Sequence, residues 1–173
     1  MTAPPPGVPN PRGEALVTEL RWVHDMIRRD LGVVERLADR VAAGLPADEV
    51  RAGLRSLAAQ GPLWQLKINC LRYCRFVHGH HGLESSMLFP ALRRGNPALG
   101  PVIDRLEADH RRVSGLLDEV EAAAGGLGGP DEPAVRGRLV AALKGLAAEL
   151  LPHLEYEEEN ISATLATLTG LPG

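Results

Sequence analysis

Residues 76–90, "FVHGHHGLESSMLFP", hold three of the six histidines of the 173-residue chain within four positions, next to a glutamate. Apolar residues recur at alternating steps of four and three through this stretch and on its N-terminal side, a pattern that predicts the end of a long amphipathic helix. Which of these imidazoles face the interior depends on the other helices that the chain forms around them.

Helical periodicity recurs in three further segments, which are separated by breakers such as "GLP" at 44–46 and "GGLGGP" at 125–130. The pattern predicts helices at about 14–43, 62–88, 98–124 and 131–168, with a short extra helix at about 47–59. No strand pattern competes. We therefore predict an all-α fold, an antiparallel up-down four-helix bundle, over residues 14–168. Residues 1–13 read as a disordered, proline-rich tail, and residues 169–173 as a frayed C-terminus.

Composition limits the classes of partner. Hydrophobic residues make up 45% of the chain and aromatics only 3%, which favours a helical core of Leu, Val and Ala. The net charge of -3 has interspersed signs, which argues against nucleic acid or a membrane as partner. The first residues lack the apolar region of a secretory signal. Cys70 and Cys74 lie four apart, unlike a Cys-x-x-Cys motif, so we expect a reduced, cytoplasmic protein.

The second helix carries an inward stripe that decides the orientation of the histidine cluster. Stepping by four and three residues along it places His80 and Glu84 on the stripe, one turn apart. His81 lies about 100° further round, on the shoulder of the stripe. His78 lies on roughly the opposite face. His80 is thus expected to point inward, and His81 is ranked below it as a candidate ligand.

Each of the other helices also contributes one histidine to its apolar stripe: His24, His110 and His153, the last followed by Glu157 four residues later. At about 1.5 Å per residue, these histidines and His80 fall roughly 12 to 22 Å from one end of the bundle, close to a single layer. A lone core histidine is usually a satisfied core residue. Two buried glutamates without a lysine or arginine on these stripes are costly, however, so we expect a bound cation.

A mixed imidazole and carboxylate set in a bundle core suits iron or manganese, with zinc as a further option. Six protein ligands are too many for one tetrahedral zinc. They fit two metal ions bridged by the glutamates, with oxo or water ligands completing each coordination shell. The predicted ligands are His24, His80, Glu84, His110, His153 and Glu157.

Four motifs carry a resemblance to a known family. They are "WVHDMIRRDL" around His24, "HHGLE" at 80–84 followed by "LFP", "EADH" at 107–110, and "HLEYEEEN" from 153. In this order and spacing, the chain resembles the hemerythrin-like proteins, the HHE cation-binding family, over nearly its whole length after the tail. The resemblance implies a four-helix bundle with a non-haem di-iron centre.

Carried over position by position, the resemblance implies one iron on His24 and His80, a second on His110 and His153, and bridging glutamates. Oxygen-carrying members have a second histidine one turn further along the third helix, where this chain has Ser114. Tyr73 lies two turns before His80 on the same stripe, and we predict that its phenol fills this position. The alternative is a core tyrosine hydrogen-bonded to a glutamate.

A phenolate in place of an imidazole stabilises iron(III) and disfavours reversible oxygen carriage. We therefore expect redox turnover of hydrogen peroxide, or of oxygen and nitric oxide species, at the di-iron centre. The rival interpretation is a non-catalytic protein that binds or senses oxygen, nitric oxide or iron. An oxidase for an organic substrate is a third option. In each case the partner is a small molecule, and the sequence leaves the oligomeric state open.

Overall fold

The computed structural model describes residues 7–44, 62–127 and 132–171, and within these ranges it is helical with no strand. Four long helices form a four-helix bundle, which confirms the predicted fold class. The helices are α1 (Pro11–Ala42), α2 (Pro62–Leu83), α3 (Phe89–Gly95), α4 (Gly100–Gly125) and α5 (Glu132–Leu165). The short helix predicted at 47–59 lies outside the described residues.

The long helices pack around a ring in which α1 and α4 each contact both α2 and α5. Contacts at both ends of α1 and α5 show that these two helices run antiparallel. Near one end, Gly13 lies against the backbone of Ala166. Near the other, Arg136 Nη1 donates to the carbonyl of Val41 at 3.2 Å. None of the helices described here has the length and apolarity needed to cross a membrane.

Helix α1 begins at Pro11, three residues earlier than the sequence predicts. Asn10 caps it: the side-chain oxygen accepts from the backbone N–H of Gly13 at 3.0 Å, and proline follows at the first helical position. The same asparagine donates its backbone N–H to Ala166 at 3.0 Å and its side-chain amide to Leu168 at 3.2 Å. The end of the proline-rich stretch is therefore held against the end of α5.

α1 and α5 approach each other closely at Gly13, since a Cβ built there would overlap the backbone carbonyl of Ala166. We expect Gly13→Ala to lower the free energy of unfolding by about 1–3 kcal/mol through overpacking, measured by urea denaturation. The control is Gly115→Ala in α4, an exposed helical glycine with open space around it, which should gain about 0.5–1 kcal/mol. Equal midpoints for Gly13→Ala and the unmodified protein would argue against this close approach.

The second helix does not end at the "FP" dipeptide, as the sequence suggested. It passes through a π-helical turn, Glu84–Leu88, in which Phe89 N–H donates to the carbonyl of Glu84, and continues as α3 to Gly95. Pro90 has no N–H, and its ring excludes the carbonyl four residues earlier, so regular α-helical bonding cannot run through this point. Such π-turns occur frequently at functional sites, and this one begins at a candidate ligand.

The core is divided into two apolar clusters with a polar layer between them. On α1, Leu20 belongs to the smaller cluster and Ile27 to the larger, with buried His24 between them. On α4, His110 separates the two clusters in the same way. The buried polar residues of this layer are His24, His81, Glu84, Asp109, His110, His153 and Glu157. The bundle thus closes the candidate site from both ends with apolar side chains.

Candidate metal centre

Glu84, at the start of the π-turn, lies between two groups of histidines. Its Oε1 is 2.7 Å from His80 Nε2 and 3.6 Å from His24 Nε2. Its Oε2 is 3.1 Å from His110 Nε2. The two oxygens of one carboxylate therefore face different imidazoles, which is the arrangement that a bridging ligand requires.

Glu157 of α5 spans the same two groups from the opposite side. Its Oε2 lies 3.5 Å from His24 Nε2 and 3.6 Å from His153 Nε2. Like Glu84, it is almost fully buried, with 0% of its surface exposed. The structure thus brings together all six of the ligands ranked first by the sequence argument.

His81 lies with these six, although the sequence patterns ranked it below His80. Its ring stacks on His110 with centroids 4.0 Å apart and lies 5.1 Å from His153. The side chain is buried, whereas that of His80 is 12% exposed. Viewed down α2, His80 lies about 40° to one side of Glu84 and His81 about 60° to the other. The adjacent histidines therefore flank the glutamate, and stepping along a single stripe could select only one of them.

Two sets of donor atoms result, each compact enough for one ion, with atoms within 4.8 Å of one another. The first set faces α1 and consists of His24, His80 and Glu84. The second faces α4 and α5 and consists of His81, Glu84, His110 and His153. Glu157 lies between the two sets, and Glu84 belongs to both.

Tyr73 does not lie where the sequence argument put it. Its hydroxyl donates to the carbonyl of Ile27 in α1 at 3.4 Å, and burial raises its pKa well above the ordinary value. Ser114 instead lines an open cavity together with His81 and His110. The tyrosine points toward α1, whereas α4, which carries Ser114, lies on the other side of α2. His81 is a further imidazole that the structure places beside His110.

The inner atoms of this cluster have no hydrogen-bond partner. Five imidazole Nε2 atoms and four carboxylate oxygens are buried and make no hydrogen bond of acceptable geometry. The close pairs among these atoms are 2.7–3.6 Å apart. Buried polar groups are nearly always satisfied, and each unsatisfied one costs about 1–3 kcal/mol. So many convergent lone pairs fit bound cations, which would satisfy all of them at once.

Residues 15–165 match the family model described as the hemerythrin HHE cation binding domain. The chain belongs to this family. No curated protein and no solved structure matches it. Family membership implies cation binding, typically of iron, and the convergent donor atoms of the polar layer agree with that implication.

The pKa values of Glu84 and Glu157 in this hemerythrin domain are shifted in opposite directions. Burial alone would raise the pKa of Glu84, but the nearby imidazoles of His110, His24 and His80 hold it well below its ordinary range. Burial, and then the charge of Glu84, raises the pKa of Glu157 well above it. Without a cation, the surrounding imidazoles favour the ionised form of Glu84, whereas burial and the charge of Glu84 favour the protonated form of Glu157. Two divalent ions would allow both to be ionised and to act as ligands.

Two histidines of the second set, His81 and His153, are held in the neutral form that binds metals. Burial, followed by the neighbouring His110, lowers the pKa of His81 to about 2 and that of His153 to about 4. Both imidazoles are therefore neutral at physiological pH, and each keeps a lone pair for a metal.

Three of the imidazoles in this hemerythrin domain have a partner on the outward nitrogen, which directs Nε2 toward the centre. The contacts join Nδ1 to an oxygen: His24 to Glu158 at 2.8 Å, His110 to Ser85 at 2.9 Å, and His153 to Asp109 at 3.4 Å. The sequence patterns did not identify Ser85 and buried Asp109, because each supports a histidine on a different helix, and the residue spacing within one helix carries no such signal.

Proposed function

We propose that the chain holds two iron ions in this layer and turns over small oxidants, with hydrogen peroxide as the preferred substrate. His24 and His80 would hold one ion, and His81, His110 and His153 the other, with Glu84 and Glu157 shared between them. Imidazole and carboxylate donors suit iron, and zinc or manganese are the expected substitutes. The cysteines Cys70 and Cys74 are free and buried, which supports a reducing, cytoplasmic setting for the protein.

One observation carries the redox proposal: a carboxylate stands behind a histidine of each set. Glu158 Oε1 is 2.8 Å from His24 Nδ1, and Asp109 Oδ2 is 3.4 Å from His153 Nδ1. A carboxylate that accepts a hydrogen bond from Nδ1–H makes the imidazole a more basic ligand for a metal. More basic donors stabilise iron(III), which favours redox cycling with peroxide. A phenolate ligand is not part of this proposal, because the Tyr73 hydroxyl lies against α1.

The second candidate is reversible binding or sensing of oxygen or nitric oxide. It is supported by His81, which restores the imidazole that Ser114 removes. Five imidazoles resemble the donor balance of a carrier more closely than the four that were counted from the sequence.

Assays with hydrogen peroxide and with oxygen on the purified, iron-loaded protein distinguish the two candidate functions. We expect repeated turnovers of hydrogen peroxide per chain, followed as peroxide loss and oxygen release, with the visible spectrum of the oxidised protein restored at the end. A single stoichiometric reaction with peroxide, combined with a reversible spectral change when the reduced protein is exposed to oxygen and then degassed, would instead establish the binding function.

The carboxylate behind His24 provides a specific prediction. Glu158→Gln keeps a hydrogen-bond acceptor but removes the charge, so we expect a higher iron reduction potential and about tenfold slower peroxide turnover, with iron content retained. The control is Glu159→Gln, an exposed neighbour that makes the same change in charge. Spectroelectrochemical titration and initial rates give both readouts. Equal potentials in the two variants would show that Glu158 does not tune the centre.

A further inference from the structure

A second group of possible ligands lies on the outer face of α2 and α4, apart from the buried layer. His78 Nε2 is 3.4 Å from Asp118 Oδ1 and 3.9 Å from Glu121 Oε1. One donor atom from each of the three side chains lies within 4.8 Å of the other two. All three are accessible to solvent, with 32% of the His78 side chain exposed.

The geometry of this group suits a single cation. Asp118 and Glu121 are three residues apart on α4 and therefore share one face, while His78 reaches across from α2. Donors that each sit about 2.1 Å from one ion are separated from each other by roughly 3 to 3.5 Å. The observed separations need only small side-chain adjustments to reach this. One imidazole and two carboxylates suit Mn²⁺, Fe²⁺ or Zn²⁺, with water at the remaining positions.

His78 also connects this outer group to the buried centre. It lines a cavity of about 350 Å³ whose walls include His81 and His110, two ligands of the second set, and Ser114 between them and the outer group. His78 is the member of the outer group that lines this cavity together with the inner histidines. The short serine at 114 leaves this route wider than a histidine would.

We propose that His78, Asp118 and Glu121 form a divalent transition-metal site at the mouth of this cavity, from which ions pass to the buried histidines. Three partly hydrated donors can capture an ion and exchange its waters without holding it as tightly as the inner set. The binding half of this proposal stands on the outer geometry alone. The passage half rests on the proposed metal centre.

Binding is tested by titrating the iron-loaded full chain with Mn²⁺ and following free Mn²⁺ by electron paramagnetic resonance. We expect one Mn²⁺ per chain in addition to the iron, with affinity at least about tenfold weaker in His78→Ala and in Asp118→Asn. Glu119→Gln is the control, since this neighbour makes the same change in charge but lines a different cavity, against α5. Absence of Mn²⁺ binding, or equal binding in His78→Ala, overturns the site.

Passage is tested by adding limiting Fe²⁺ to the metal-stripped full chain and following iron incorporation with time. His78→Ala and Asp118→Asn should load about tenfold more slowly than the Glu119→Gln control, because each removes a donor atom of the outer site that captures the ion. Their final iron content should equal that of the unmodified chain. Equal loading rates overturn the passage. Failure of the unmodified chain to hold two irons overturns the proposed centre instead, and leaves the Mn²⁺ result as the separate test of the outer site.

Discussion

Glu84→Ala is expected to remove both iron ions and to lower the free energy of unfolding of the iron-loaded protein by roughly 4 kcal/mol for each ion lost. Its two oxygens face different imidazoles, at 2.7 Å from His80 and 3.1 Å from His110, so no other side chain can take its place in both sets. A metal that binds only the folded state stabilises it, by about this amount when the free ion is a thousand times above its dissociation constant. Iron analysis and urea denaturation measure the two effects.

Two histidine variants control this prediction. His80→Ala should also lose iron, since this ring faces the same carboxylate oxygen. His78→Ala should retain two irons at equilibrium and unfold at nearly the same urea concentration, because its imidazole faces the outer carboxylates. Equal iron content in these two variants would show that the inward and outward assignments on α2 are wrong.

The second large effect is expected at His81. His81→Ala should leave about one iron per chain, because the second set loses a buried imidazole that stacks on His110, while His24 and His80 remain in place. Tyr73→Phe should retain both irons, since the Tyr73 hydroxyl donates to the carbonyl of Ile27. The oxidised protein should likewise lack a phenolate-to-iron(III) absorption band. Iron analysis and visible spectra of the two variants provide the measurement.

The opposite pair of results has a clear meaning. Full iron content in His81→Ala, together with loss of a visible band in Tyr73→Phe, would restore the tyrosine as the ligand near Ser114. It would also return the centre to four imidazoles and an anionic oxygen, the donor set that the sequence alone suggested.

The architecture and six of the candidate ligands follow from sequence patterns because both depend on one helix at a time. Apolar periodicity predicts each long helix and the stripe that it buries. His24, His110 and His153 interrupt those stripes at positions that can only be interior, and buried glutamates require a partner of opposite charge. These inferences need no knowledge of which helix lies beside which.

The side chains of the site that sequence reasoning missed or ranked low depend on contacts between helices. His81 is a candidate ligand because α2 has α1 on one side and α4 on the other, so two faces of the helix are interior. Tyr73 turns toward α1 for the same reason, and Asp109 supports a histidine of α5 rather than its neighbour in sequence. The start of α1 was missed because Asn10 caps the helix at the end of a proline-rich stretch.

The central claim is that two sets of histidines share two carboxylates and so hold two coupled irons. Mössbauer spectroscopy of the protein loaded with ⁵⁷Fe tests it most directly, since it resolves iron environments and their magnetic coupling. We expect two iron environments of equal intensity. Both should be diamagnetic at low temperature in the oxidised protein, because the spins of the two bridged irons couple. A single environment, or magnetically isolated iron(III), would contradict it.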